Sequence, residues 1–403
     1  MEELQDIINP VPAEELAQRL EKFRAAMDKE HPGWEMAAIQ HKIAMYYFTG
    51  TIQDGVLLIT PDSAILWVRR SYERACCESN FPDIRSFHSY REVVKEYAAL
   101  PKVLHIEKKK TTLDWLEFIG KYLPFEKTVG LDHVLQDLRL IKSPYEIELM
   151  TRSGKIHQAA LEEYAPSIIR EGISEAELSI SVYKEMVLRG GHGAVRFNMT
   201  TGDETIGVAA FGKSGLVKTA FDGPGGCNGT CIAVQTIGRA SRRLRQNQLV
   251  HMDIPCGVEG YHTDKTVIYY FGDLSKDPEA EKIKAAYKYC LDFEAKALEL
   301  LRPGTVLEDL YLKPLAELGD IYGDAFMGGG KFLGHSVGLV IDELPVPAKG
   351  FNEILAPGMV FALEPKIALP GLGMVGTENT YLVTEDGYKC LTGGSIPYLK
   401  ELK

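Results

Sequence analysis

The sequence contains no apolar run near the ~20 residues that a bilayer-spanning helix requires, so no membrane partner is expected. Cysteine is scarce, with seven in 403 residues, and Cys76, Cys77, Cys227, Cys231, Cys256, Cys290 and Cys390 are thinly spread. An odd, scattered set excludes a disulfide framework and points to reduced thiols in the cytoplasm. Basic charge is in deficit, since 45 Lys and Arg face 56 Asp and Glu for a net charge of −11. Sequence-independent nucleic-acid binding needs a basic surface to displace counterions, so nucleic acid is not an expected partner. The opening Met1-Glu-Glu-Leu-Gln-Asp6 carries acids where a targeting leader carries bases, and the expected location is cytoplasmic. With 45% hydrophobic and 25% charged residues, the chain is neither low-complexity nor disordered in composition.

What is present alternates. Apolar residues from Glu14 to Lys29 recur at the helical period, while Gly55–Thr60 and Ala64–Val68, split by Pro61-Asp62-Ser63, read as strand, turn and strand. Tyr90–Ala99 and Thr111–Tyr122 read as helices, and Val103–Ile106 and Thr128–Leu131 as strands. The expected fold class is therefore α/β (α+β), with a first domain over 1–139 and a second over 140–403. Ser143-Pro144 with Glu146 has the form of a capping box, opening a long helix at the start of the second domain.

The chemistry gathers in two hairpins. Apolar runs on either side of Gly257-Val-Glu-Gly260 contain Asp253 and Asp264. A turn centred between Val258 and Glu259 sets these acids opposite each other, with Cβ atoms about 5 Å apart. Two ionised carboxylates so placed need a cation or a shared proton. Nearer the C-terminus, strands flanking Leu369-Pro-Gly-Leu-Gly373 carry Glu364 and Glu378, which oppose each other if the turn centres on Gly371. One divalent ion leaves four acids at −2, whereas two ions balance them. His335, between Gly334 and Ser336-Val-Gly338, offers an imidazole, and carboxylates with an imidazole favour Mn, Co, Zn or Fe over calcium.

Together these residues resemble the pita-bread metallopeptidases: aminopeptidase P, prolidase and methionine aminopeptidase. Asp253-x10-Asp264, Gly334-His335-Ser-Val-Gly338-Leu339, Glu364-Pro365 and Glu378 match the family's five ligands in order and context. Met45–Gln53 and Leu140–Met150 resemble the prolidase branch, with a creatinase-type N-terminal domain before the catalytic one. The resemblance implies two divalent metal ions held by Asp253, Asp264, His335, Glu364 and Glu378. It also implies a short peptide substrate cleaved next to proline, Glu364 and His335 as catalytic groups, and a homodimer.

Two departures accompany the match. Where the branch carries His-Glu seven residues after the ligand His, this chain has Asp342-Glu343, and an acid at Asp342 suits a substrate amine. The Gly-Asn-rich stretch Gly212–Cys231, where the branch keeps another His, has none, and Lys213 and Asp222 there receive no role. Two rival readings follow: a non-peptide amidohydrolase or lyase on the same scaffold, and a non-catalytic peptide-binding protein. Gly207–Ser214 matches a phosphate-binding loop letter for letter, but the Gly- and Pro-rich residues beyond it cannot supply the helix such a loop needs. The pair Cys227 and Cys231 lacks a second Cys/His pair to complete a metal knuckle.

Overall fold

The computed structural model describes residues 9–193, 195–197, 206–220 and 223–403; Asp222 lies outside them. The chain divides into two compact units, Met1–Arg139 and Leu140–Lys403. Among the described residues no helix is long and apolar enough to cross a membrane.

The first unit is a six-stranded mixed sheet in the order Ile84–Ser86, Ala64–Arg70, Asp54–Ile59, Met36–Ile39, Val103–Ile106, Lys127–Gly130. The hairpin read from the sequence is present, with Ile59 opposite Ala64. Alternate residues of these strands bury Met36, Ala38, Val56, Leu58 and Trp67 against Trp115, Ile119 and Leu123. The helix expected over Tyr90–Ala99 is shorter: it runs Tyr90–Val93 and tightens into a 3-10 turn, Val94–Glu96.

The second unit opens as expected on a capping box. The Ser143 hydroxyl accepts from the Glu146 N–H, and the Glu146 carboxylate accepts from the Ser143 N–H. The helix Pro144–Gln158 continues through a π-helical turn, Ala159–Tyr164, into Ala165–Ile168. A second helix, Glu175–Leu188, is capped by Ser174. Two four-stranded sheets follow. One orders Lys400–Leu402, Thr266–Phe271, Gln248–Asp253 and Val208–Phe211; the other orders Gly334–Ser336, Val360–Leu363, Asn379–Val383 and Tyr388–Cys390. In each sheet the central antiparallel pair breaks for two residues on each strand and resumes as a two-stranded ribbon. The first ribbon pairs Cys256–Val258 with Tyr261–Thr263, the second Lys366–Leu369 with Gly373–Gly376. The helix Ala280–Leu300 packs Ile283, Tyr287, Cys290 and Phe293 onto the second sheet's Phe361, Leu363 and Tyr381.

The phosphate-loop lookalike has its strand, Val208–Phe211, but only the 3-10 turn Gly212–Leu216 after it, with Ser214 buried and bonded to Asn228. All seven cysteines are free, and Cys227 donates to the Gln235 carbonyl rather than facing a partner thiol.

Candidate metal centre

Asp264, Glu364 and Glu378 fall in the strand breaks and Asp253 ends its strand beside one, so that side chains of both sheets converge there. The second hairpin has the register expected of it. Leu363 lies opposite Asn379 and Lys366 opposite Gly376, which leaves Glu364 across from Glu378 in the gap. The first hairpin does not. Asp253 pairs with Thr266, not with Asp264, because the turn is Glu259-Gly260, one position later than expected. Both turn residues have positive φ, 48° and 87°, the conformation of a type I′ hairpin, and Gly260 takes the second place at no steric cost. The turn moves by one residue and the register by two, so Asp264 keeps its side of the hairpin.

His335 lies opposite Ala362, two residues from Glu364 and so on the same face. Its close approach depends on Gly334, where a Cβ would lie 1.9 Å from the Ala362 carbonyl oxygen. The His335 Nδ1 is 3.2 Å from the Ser336 carbonyl, which can only accept, so Nδ1 carries the hydrogen and Nε2 presents its lone pair. That Nε2 lies 3.8 Å from Asp264 Oδ2 and 3.9 Å from Glu378 Oε1. These distances are too long for hydrogen bonds but suit three donors around one ion at about 2.0–2.2 Å from each. One donor atom each from Asp264, His335 and Glu378 lies within 4.8 Å of the others.

A residue that the motif reading passed over occupies the other half of the cluster. Lys366 is 0% exposed, and its Nζ donates to Asp253 Oδ2 at 2.9 Å, Glu364 Oε2 at 2.9 Å and Glu378 Oε2 at 2.8 Å. A signal for it was available: strand alternation puts residue 366 on the same face as residue 364.

The acids divide accordingly. Burial raises Asp264 well above the carboxylate range, and Glu378 and Asp253 push the same way. Burial also raises Glu378, to about 7, despite the opposing ammonium. Asp253, by contrast, is held below its usual value: burial works against its charge, but Lys366 and the His251 ring outweigh it. For Lys366 itself burial opposes the charge, and the fields of Asp253, Glu364 and Glu378 overcome it. Asp264 Oδ2 and Glu378 Oε1 instead face His335 Nε2, and a cation held among these three atoms would favour both acids in their ionised form.

Neighbouring groups fix these side chains. Asp264 exchanges two bonds with the Thr380 hydroxyl, at 2.8 Å from its N–H and 2.9 Å to its carbonyl. The Thr266 hydroxyl donates to Glu378 Oε2 at 2.8 Å. His157, also missed in the sequence, is fully buried. Its Nε2 donates to the Ile254 carbonyl and its Nδ1 accepts from the Thr263 hydroxyl at 3.1 Å, so one ring ties the break after Asp253 to the strand end before Asp264. His262 donates from Nδ1 to the Gly338 carbonyl at 3.0 Å, anchoring the loop after His335. Asp342 is half-buried in that loop, while its neighbour Glu343 turns inward and accepts from the Val340 N–H at 3.2 Å.

Side chains of this kind, brought together at breaks in two sheets of a unit that follows an α/β unit in the sequence, have a known setting. The chain belongs to Metallopeptidase family M24, which its residues 148–385 match, and residues 19–141 match the Creatinase/Prolidase N-terminal domain. The Xaa-Pro dipeptidase of Pyrococcus horikoshii is 29% identical over 391 residues, covering 93% of this chain and 97% of that protein. The Xaa-Pro dipeptidase of Pyrococcus furiosus is 29% identical over 395 residues, 94% of this chain and 98% of that protein. The solved prolidase of P. horikoshii matches with a TM-score of 0.77 at 27% identity, over 94% of this chain and 99% of the other. The resemblance and the fold class read from the sequence are both borne out, and the chain is a metallopeptidase of a family that works with divalent ions.

Proposed function

We propose that this chain is an Xaa-Pro dipeptidase, hydrolysing the amide bond between a first residue and proline with a divalent ion at Asp264, His335 and Glu378. The observation that carries the reading is a cation-deficient carboxylate–imidazole cluster within a chain that is similar over nearly its whole length to two proteins named Xaa-Pro dipeptidase. Residues 1–139 serve in this reading as the N-terminal domain and 140–403 as the catalytic one.

When bound, the ion supplies Lewis acidity to the scissile carbonyl and to the attacking water. Glu364 takes the proton from that water and delivers it to the proline nitrogen. Its Oε2 is pinned by Lys366 at 2.9 Å, which leaves Oε1 as the oxygen for the transfer. His335, with Nδ1 tied to Ser336, directs Nε2 at the ion. Asp342 offers a carboxylate to the substrate's α-ammonium. Homodimeric assembly belongs to the same reading through the family resemblance, manganese through the carboxylate and imidazole donors, and a cytoplasmic location through the scattered cysteines. So does the expectation of two ions, on which Lys366 bears directly.

The acids at Asp342-Glu343, where the branch carries His-Glu, favour a second reading: cleavage of a non-peptide amide, or an elimination, on the same scaffold. One experiment addresses both. Protein stripped with a chelator and reloaded with Mn²⁺ is offered Xaa-Pro dipeptides, matched Xaa-Ala dipeptides and non-peptide amides, with products identified by mass spectrometry. Metal-dependent release of free proline is the expected result. Turnover of a non-peptide amide with every dipeptide left intact would replace the first reading by the second. Asp264→Ala and His335→Ala protein should lose bound metal and turnover together.

A further inference from the structure

We propose that Lys366 is a built-in cation that takes the place of one of the two metal ions, so that the centre holds one divalent ion rather than two. The inference rests on the metal-centre part of the functional reading and not on its substrate.

An ammonium has three hydrogens, and those of Lys366 are directed at three different acids: Asp253, Glu364 and Glu378. The side chain is fully buried, so this is its whole environment and not one of several solvated positions. Ions of a two-metal site lie about 3.5–4 Å apart and share bridging carboxylates. An ion held by Asp253 and sharing Glu378 with its neighbour would compete with Lys366 for Glu378 Oε2 and for Asp253 Oδ2. It would also stand against a positive charge that is covalently attached to the sheet and cannot diffuse away.

The backbone makes room for the lysine. Gly376, directly across the ribbon from Lys366, lacks the Cβ that would lie 2.7 Å from the Lys366 Cα and 2.9 Å from its Cγ. What remains free for metal is the opposite half of the cluster: Asp264 Oδ2, Glu378 Oε1 and His335 Nε2. Glu378 divides its two oxygens, one to the ammonium and one to the ion. In this arrangement Asp253 is a positioning residue, which orients the ammonium and does not touch the metal.

The test is stoichiometry, read on the full chain with Mn²⁺ alone. Stripped protein is titrated, bound metal is measured by mass spectrometry, and the paramagnetic resonance spectrum of the bound Mn²⁺ is recorded. The wild type should saturate at one ion per chain and give the spectrum of an isolated ion. Lys366→Met should saturate at two, with the spin-coupled spectrum of a pair. If Lys366→Met does not fold, Asp253→Asn decides. It should keep its one ion, weakened by no more than the roughly 10–100-fold typical of a group that supports ligands without being one. Two ions in the wild type, no ion in the wild type, one ion in a folded Lys366→Met, or loss of all metal from a folded Asp253→Asn would each overturn the proposal. A wild type with one ion and no action on Xaa-Pro peptides would overturn only the substrate reading.

Discussion

At the scale of single residues, three buried histidines around the centre couple its construction to pH. Burial pushes His157 and His262 down to about 3 and His251 down to about 4, so each is neutral in the fold. Unfolding exposes them to water, where an imidazole binds a proton below about 6.5. The unfolded chain therefore holds more protons than the folded one between about 6.5 and 4. The stability these rings contribute is fully present above that window and is lost as the pH falls through it. A His157→Gln variant keeps a donor and an acceptor but does not titrate, and its stability should fall less steeply, by about 1.4 kcal/mol per pH unit. Urea unfolding of both proteins across the window checks this. The same scale shows why His157 and Lys366 escaped the sequence reading. His157 is a mid-helix residue whose partners Ile254 and Thr263 lie 97 and 106 residues away, and no local pattern announces them. Lys366 was reachable, because its alternation with Glu364 is local. A lysine after Glu-Pro reads as solvated until its neighbours are known.

At the scale of elements, turns and caps decide where the acids go. The second hairpin was legible in register because its loop is long enough to hold several turn residues yet still centres on Gly371, flanked by matched apolar strands. The first was misread because Gly257 and Gly260 bracket the turn equally in sequence, and only the need for two positive-φ residues picks Glu259-Gly260. Gly260→Val should therefore cost about 1–3 kcal/mol through backbone strain alone, measured as a drop in thermal midpoint. Removing the cap hydroxyl in Ser143→Ala should cost ~1 kcal/mol. The helix it starts carries both Ser153 and His157 against Thr263, so its loss should also loosen the first hairpin. Hydrogen exchange over Cys256–Thr266 reads that loosening.

At the scale of the whole molecule, the two units have separate cores, and among the described residues only the second carries a metal cluster. Bound metal should stabilise one unit and leave the other where it is. Calorimetry with and without chelator is expected to show two transitions, of which one moves. Metal at about 100 times its dissociation constant adds about 2.7 kcal/mol to the unit that binds it. The fold was readable from its motifs, and the meeting of Asp264, His335 and Glu378 in one cluster was readable because each motif is short and its acids sit in apolar surroundings that water would not choose. The place of Lys366 among them was not, because it depends on which oxygens face it from another sheet, Asp253 lying 113 residues away in sequence.

The isolated backbone pair between Thr266 and Glu378 gives this arrangement a mechanical meaning. The two sheets meet there, and Asp253 and Asp264 come from one while His335, Glu364 and Glu378 come from the other. Whatever binds between them works as a clasp across a seam. Lys366 is a permanent stitch, since it is rooted beside one hairpin and bonded to Asp253 on the other. The ion is a removable one, linking Asp264 to His335 and Glu378. Stripping the metal should loosen the seam around His335 without parting the sheets, because Lys366, the Thr266–Glu378 pair and the bonds between Asp264 and Thr380 still fasten them.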